Sequence, residues 1–180
     1  MNPSVNSRWK TVACILASLA VMPCLASAQE DHERRQSRPR YSQASICGDY
    51  AAIATYGANI ARALGTESFD GRGSLTGSAI ANQPGPNNTR SLASIGLEGT
   101  YSVNVDGTGK MLLTITLPGG ATANVIEDFV ITKTKVIDGV EIATEIEDAQ
   151  ETPSAVIDDT SLVIHSYTLR SNPKSCVSRP

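Results

Sequence analysis

Glycine-containing turns divide most of this chain into short segments, and this punctuation is the feature that most limits its fold. Asp70-Gly71, Asp106-Gly107 and Asp138-Gly139 are tight-turn sequences, and Pro118-Gly119-Gly120 is a fourth. Glycine supplies the positive φ that short hairpin turns require, and Asp-Gly between alternating segments is a strong hairpin signal. The chain therefore favours antiparallel hairpins between sequence neighbours over long helices.

The segments between these turns alternate with period two, as half-buried strands do. Met111, Leu113 and Ile115 share one face, for example, while Thr114 lies on the other. We predict about eight strands, because two of nine segments, on either side of Glu98-Gly99, could be one strand with a glycine bulge. The predicted segments are 50–57, 61–69, 74–81, 91–97, 100–105, 110–117, 122–135 (with a bend), 140–147 and 162–169, and residues 147–160 are predicted to form a loop.

The first 28 residues predict an export signal that lies outside the folded domain. Arg8 and Lys10 provide a positive start, an apolar run follows from Thr11 to Met22, and Ala26-Ser27-Ala28 is a small-residue cleavage site. We therefore expect cleavage after Ala28 and a secreted or periplasmic protein with no membrane-spanning segment after processing. Lipidation at Cys24 is the alternative.

The mature chain is expected to hold a disordered leader and a single β-domain. Residues 29–46 are rich in charge and poor in apolar side chains, which predicts the leader. Residues 47–180 carry the turn signals and the alternating segments, which predict the domain.

Cys47 and Cys176 remain after processing and lie near the two ends of the predicted domain. An even pair of cysteines in an exported chain predicts a disulfide. Closure of so long a loop stabilises a fold by up to about 5 kcal/mol. The bond would bring the first and last strands together, so we predict an all-β fold, an antiparallel meander closed into a barrel of about eight strands. An open β-sandwich is the alternative.

Several motifs resemble those of a group of small exported bacterial proteins of unassigned function. The motifs are Cys47-Gly48-Asp49-Tyr50, the segment Ser68–Gly77 with its Phe69-Asp70-Gly71, the segment Gly99–Gly109, and Asp128-Phe129-Val130-Ile131. The resemblance covers most of residues 47–170 and implies a barrel like that of allene oxide cyclase, a calycin-like fold. It implies no chemistry, because no catalytic residue of the plant cyclases is matched.

The charge of the mature chain argues against a nucleic-acid partner. The full chain has 15 basic and 18 acidic residues, and loss of Arg8 and Lys10 with the signal leaves a net charge of −5. Binding to nucleic acid requires a basic face. Aromatic residues are only 4% of the chain, which also disfavours stacking on bases.

No catalytic residue, metal ligand or cofactor is predicted. The sequence has no nucleophile elbow, zinc-ligand spacing, phosphate-binding loop or dinucleotide fingerprint. His165 is interpreted as a packed or surface histidine of the last strand, with a functional position in a barrel mouth as the alternative. The densest acidic residues are interpreted as a solvated strand face beside an acidic loop; they are Glu141, Glu145, Glu147, Asp148, Glu151, Asp158 and Asp159.

We therefore expect an exported, non-enzymatic barrel that binds a small apolar molecule, although the ligand-binding residues are not identified. The alternatives are a structural or surface-interaction protein with a solid barrel, and an isomerase-like or cyclase-like enzyme that uses the barrel cavity. An apolar cavity would favour binding, and a lumen filled by Met111, Leu113 and Ile115 would favour the structural role. A buried ionisable residue with a hydrogen-bonding partner in the cavity would favour the enzyme.

Overall fold

The computed structural model describes residues 40–56, 61–152 and 162–171. Within them, eight strands form a closed antiparallel barrel in which sequence neighbours pair and the last strand pairs with the first. This confirms the predicted fold class and excludes the open sandwich. The strands are β1 (Cys47–Tyr56), β2 (Ala61–Asp70), β3 (Ser74–Pro84), β4 (Arg90–Val103), β5 (Thr108–Thr116), β6 (Thr122–Ile137), β7 (Val140–Gln150) and β8 (Val163–Leu169).

Two predicted irregularities have different outcomes. The pairing of β3 with β4 passes Glu98 and Gly99 without a shift in register, so the two predicted segments form one regular strand. Within the segment predicted to bend, the pairing of β6 with β7 shifts register on either side of Lys133, so the regular ladder is interrupted there.

The predicted end of β7 is wrong, because this strand continues from Glu147 to Gln150. Asp148 and Gln150 point into the barrel and are buried. Polar side chains at inward positions resemble the start of a loop in sequence, although the strand pairing of the backbone continues through them.

Aromatic side chains fill one end of the barrel. The Phe69 ring lies edge-on to the rings of Tyr50 and Tyr101, with centroid distances of 5.3 Å in both cases. Such pairs contribute about 0.5 to 1.5 kcal/mol each beyond the burial of their surface. Met111 and Leu113 are buried in the same core, as their period-two alternation predicts. This end of the barrel is therefore solid.

The segment before β1 covers the filled end, so the folded domain begins before the predicted boundary at residue 47. Tyr41 and Ile46 are buried in the core, and a 3-10 turn (Gln43–Ser45) connects them. The Tyr101 hydroxyl donates a 2.7 Å hydrogen bond to the Ile46 carbonyl. Burial of these two apolar side chains fixes the last residues of the predicted leader.

Other predictions fall on residues outside the described ranges. These include the signal, most of the leader and Cys176, whose expected partner, Cys47, is fully buried at the start of β1. Across the part of the chain that the structure describes, no helix has the length and apolarity to cross a membrane.

Alanines line the other end of the barrel. Ala54, Ala63, Ala81 and Ala93 are successive cross-strand partners on β1 to β4, and they form a row across half of the barrel wall. An alanine side chain reaches no further than its Cβ atom. The row therefore leaves space in the lumen that larger side chains occupy at the aromatic end.

Candidate functional site

The space beside the alanine row is a cavity of about 420 Å³. Its walls are mainly apolar and include Ile95, Leu97 and Ile115 in addition to the alanines. The polar residues in these walls are Gln83, Ser91 and Gln150. This volume lies within the usual range for small-molecule sites, about 300 to 1,000 Å³. The fold thus combines a solid half with a hollow half.

A cluster of ionisable side chains lies where the cavity meets the aromatic core. Glu67, Glu127 and His165 line the cavity from β2, β6 and β8. Asp148 lies behind them on β7, directly opposite His165 in the strand pairing. We call these four residues the polar floor. Because β8 closes the barrel between β7 and β1, residues distant in sequence meet here.

Gly77 on β3 leaves space for the Glu67 side chain. Gly77 is the cross-strand partner of Glu67, and a Cβ atom at Gly77 would lie 2.7 Å from Glu67 Cγ. Real Cβ contacts are essentially never that short. A glycine at position 77 therefore allows the longer glutamate side chain to lie inside the barrel.

Three hydrogen-bond donors hold the Asp148 carboxylate. Its Oδ1 lies 2.7 Å from His165 Nδ1 and accepts a 3.0 Å hydrogen bond from the His165 backbone N–H. Its Oδ2 accepts a 2.8 Å hydrogen bond from the Tyr167 hydroxyl. This arrangement fixes the imidazole ring and commits Nδ1 to Asp148, so Nε2 is the ring nitrogen available to a molecule in the cavity.

The carboxylates around His165 favour its charged form. Burial alone lowers the pKa of His165, but the hydrogen bond and the charge of Asp148, with the charges of Glu127 and Glu67, raise this pKa to about 9. His165 is therefore an imidazolium at neutral pH and forms a buried ion pair with Asp148.

Glu67 and Glu127 are buried with unsatisfied oxygens. Glu67 is 2% exposed and Glu127 is 0% exposed. Among the described residues, Glu67 Oε2 and both carboxyl oxygens of Glu127 find no hydrogen-bond partner. Burial raises the pKa of Glu67 to about 7, and it raises the pKa of Glu127 well above its usual range. Burial therefore favours the protonated form of both carboxyl groups, unless a cation or a hydrogen-bond donor reaches them.

Three residues of the polar floor lie close enough together to hold a metal ion. Glu127, Asp148 and His165 each offer an atom within 4.8 Å of the others. However, both Asp148 oxygens already accept hydrogen bonds from His165 and Tyr167, and the 2.7 Å distance from Nδ1 to Oδ1 is that of a hydrogen bond. The geometry therefore favours a hydrogen-bonded ion pair over coordination of a metal.

The sequence interpretation is wrong for Asp148 and incomplete for His165. Asp148 is 4% exposed inside the barrel, whereas its neighbour Glu147 faces solvent as expected. His165 is packed, but it also lines the cavity, which is the alternative position considered for it. Carboxylates are usually solvated. Asp148 was therefore interpreted as solvated, like its acidic neighbours, although its side chain points inward.

Glu67 and Glu127 were not identified from the sequence, although a signal for them exists. Glu127 takes the inward position in the alternation Val125, Glu127, Phe129 and Ile131. Glu67 lies two residues before Phe69, on the same face of β2. A carboxylate in phase with buried apolar residues is the sequence pattern of a buried acid.

Comparisons with known proteins found no counterpart. No family model matches the chain, and neither the curated proteins nor the solved structures searched contain a match.

Proposed function

We propose that this protein binds a small, mainly apolar molecule inside its barrel. The cavity of about 420 Å³ carries this proposal, because alanine, leucine and isoleucine side chains form more than half of its lining. By comparison with a cavity of about 150 Å³ that holds benzene, it has room for roughly 17 non-hydrogen atoms. The polar floor gives such a molecule one fixed orientation.

The same cavity supports ligand binding over a purely structural barrel. Met111 and Leu113 fill the aromatic end, but Ile115 borders the open space. Filling the lumen with larger side chains would bury more apolar surface and stabilise the fold. Because alanines line the cavity, the fold lacks this stabilisation there, whereas the aromatic end has it.

The test of ligand binding is a variant that fills the cavity. Ala81→Leu places a larger side chain in the wall, so we expect phenylnaphthylamine, an uncharged apolar dye, to bind at least about tenfold more weakly than to the wild type. Ile80→Ala is the matched control, because Ile80 faces outward beside Ala81 and is 55% exposed. Fluorescence titration measures both affinities, and thermal melts check that each variant is folded.

Binding in the cavity would be disproved if the dye bound Ala81→Leu as tightly as wild type, or bound neither protein. Ala93→Val is a milder substitution in the same wall. It keeps the test decisive if the leucine variant does not fold.

A second candidate function is proton-transfer catalysis, as in an isomerase or cyclase. The Asp148–His165 pair supports it, because a buried carboxylate orients the ring of a histidine that lines a cavity. Glu67, with its pKa near 7, would accept a proton, and the imidazolium would donate one. Two groups with such different pKa values can serve as base and acid.

Proton transfer has a direct readout that needs no natural substrate. We expect apolar ketones to exchange their α-hydrogens with deuterated water faster in the presence of the protein, and Glu67→Gln to reduce this rate at least about 100-fold. Proton NMR measures the exchange. Equal rates with and without protein would remove this candidate and leave ligand binding in place.

We further propose that the mature protein is exported and carries a Cys47–Cys176 disulfide. The N-terminal signal pattern supports export. The burial of Cys47 at the start of β1 is compatible with a bonded cysteine. Intact mass measured without reductant should be about 2 Da below the mass after reduction, because each sulfur loses one hydrogen. Identical masses would remove the disulfide.

A further inference from the structure

We infer that the polar floor recognises a cationic group, a protonated amine at one end of an otherwise apolar ligand. This inference rests on the proposed function and names the class of ligand. It depends on the excess of acidic over basic groups in the polar floor, on the unsatisfied oxygens of two buried side chains that line the cavity, and on the mainly apolar walls above them.

The polar floor contains more acidic groups than basic groups. Three carboxyl groups, those of Glu67, Glu127 and Asp148, face a single basic residue, His165. No lysine or arginine is among the described residues that line the cavity. The imidazolium forms its hydrogen-bonded ion pair with Asp148 and also lies 3.6 Å from Glu127 Oε1. One cation therefore serves three carboxyl groups, and Glu67 has no ion pair among the described residues. Burial makes an uncompensated negative charge costly, and a cation in the cavity would remove that cost.

The unsatisfied oxygens show where the cation would lie. Glu67 Oε2 and both oxygens of Glu127 are buried acceptors without a partner among the described residues, and both side chains line the cavity. An ammonium group has three N–H donors and no acceptor. It can therefore satisfy three acceptors at once. A ligand carboxylate would instead place a fourth acid beside them.

The walls favour an organic cation over a bare ion. Apolar side chains form most of the wall above the floor, so a hydrated ion would find few hydrogen-bond partners there besides Gln83, Ser91 and Gln150. The Tyr56 ring, 8% exposed, also lines the cavity and can face a cation. Asp148, which a metal ion would need, already accepts hydrogen bonds from His165 and Tyr167.

The test uses three probes with one chain length and different head groups: octylamine, octanol and octanoate. Near neutral pH, calorimetric titration of the whole mature protein should show octylamine binding at least about tenfold more tightly than octanol, and octanoate binding most weakly. Glu127→Gln and Glu67→Gln should each abolish most of the preference for the amine, while the affinity for octanol stays the same. Glu147→Gln is the matched control, because it removes the same charge from the outer face of β7.

The outcomes separate this inference from the proposed function. Equal or tighter binding of octanol or octanoate would overturn the cationic ligand and leave an apolar ligand in place. Failure of all three probes and of phenylnaphthylamine to bind would overturn both. Titration with zinc tests a metal ion as the ligand. If one zinc ion bound to the wild type but not to Glu127→Gln, and octylamine showed no preference, the inferred ligand would be a metal ion and not an amine.

Discussion

Replacement of Asp148 by alanine is expected to lower the free energy of unfolding by about 3 to 5 kcal/mol. The substitution leaves the buried His165 ring without its ion-pair partner and the Tyr167 hydroxyl without its acceptor. It also removes the acceptor of the His165 backbone N–H. Removal of one member of a buried pair is costly because the other member stays desolvated.

Urea denaturation measures this loss, and two variants show its origin. Asp148→Asn keeps the shape and should cost less than alanine, because an amide still accepts a hydrogen bond. Glu147→Ala is the control: its side chain lies on the outer face and accepts an exposed hydrogen bond from Ser166, so we expect less than about 1 kcal/mol. Similar losses for Asp148→Ala and Glu147→Ala would contradict the buried ion pair.

The second large effect is a decrease in stability as the pH rises from about 5 to about 8. The folded protein holds a proton on Glu67 up to a pH of about 7, because burial raises the pKa of Glu67 from 4.5. The unfolded chain releases that proton near pH 4.5, so the folded state binds more protons between these values and loses stability as pH rises. A shift of this size corresponds to about 3 kcal/mol.

His165 and Glu127 change stability in the same direction. The pKa of His165 is raised to about 9 in the folded state, so its contribution is complete below about pH 6.5 and is lost as the pH rises through 9. Glu127 also has a raised pKa. The other ionisable groups near them are Asp148, Tyr56 and Tyr167, and the pKa values of both tyrosines are raised above 10.

Glu67→Gln isolates the glutamate contribution to this pH dependence. The amide cannot ionise, so we expect a flatter stability profile from about pH 5 to about pH 7 and a variant more stable than wild type near pH 8. Urea denaturation at several pH values provides the measurement. A wild-type profile that rises over this range, or one that Glu67→Gln leaves unchanged, would contradict the buried glutamate. The same variant should therefore be well folded in the ligand-binding tests.

Much of the fold could be predicted from local sequence patterns. Asp-Gly turns set the hairpins, and the alternation of Met111, Leu113 and Ile115 identified an inward face. These features depend on neighbouring residues, so a single sequence contains them. Closure of the sheet was instead predicted from a Cys47–Cys176 disulfide, and Cys176 lies outside the described residues. The packing of Tyr41 and Ile46 against the core was missed, because charged residues dominate the segment before them.

The polar floor could not be predicted, because it depends on pairing between distant strands. Asp148 and His165 are close only because β7 pairs with β8, and Glu67 joins them from the opposite end of the chain. The sequence by itself does not distinguish a solvated carboxylate from a buried one. Glu127 and Glu67 carried a local signal, because each lies two residues before a buried phenylalanine on the same face of its strand. An interpretation that considers only apolar residues in the alternation passes over them.

The unequal filling of the two barrel ends separates the packing that stabilises the fold from the walls that set the size of the cavity. Aromatic packing anchors one end, whereas the hollow end is lined by the smallest side chains that can form a wall. Exchange of alanine for valine, or the reverse, at the hollow end would resize the chamber in small steps and leave the aromatic anchor intact. Related barrels could therefore differ in the size of this cavity while they keep the same scaffold.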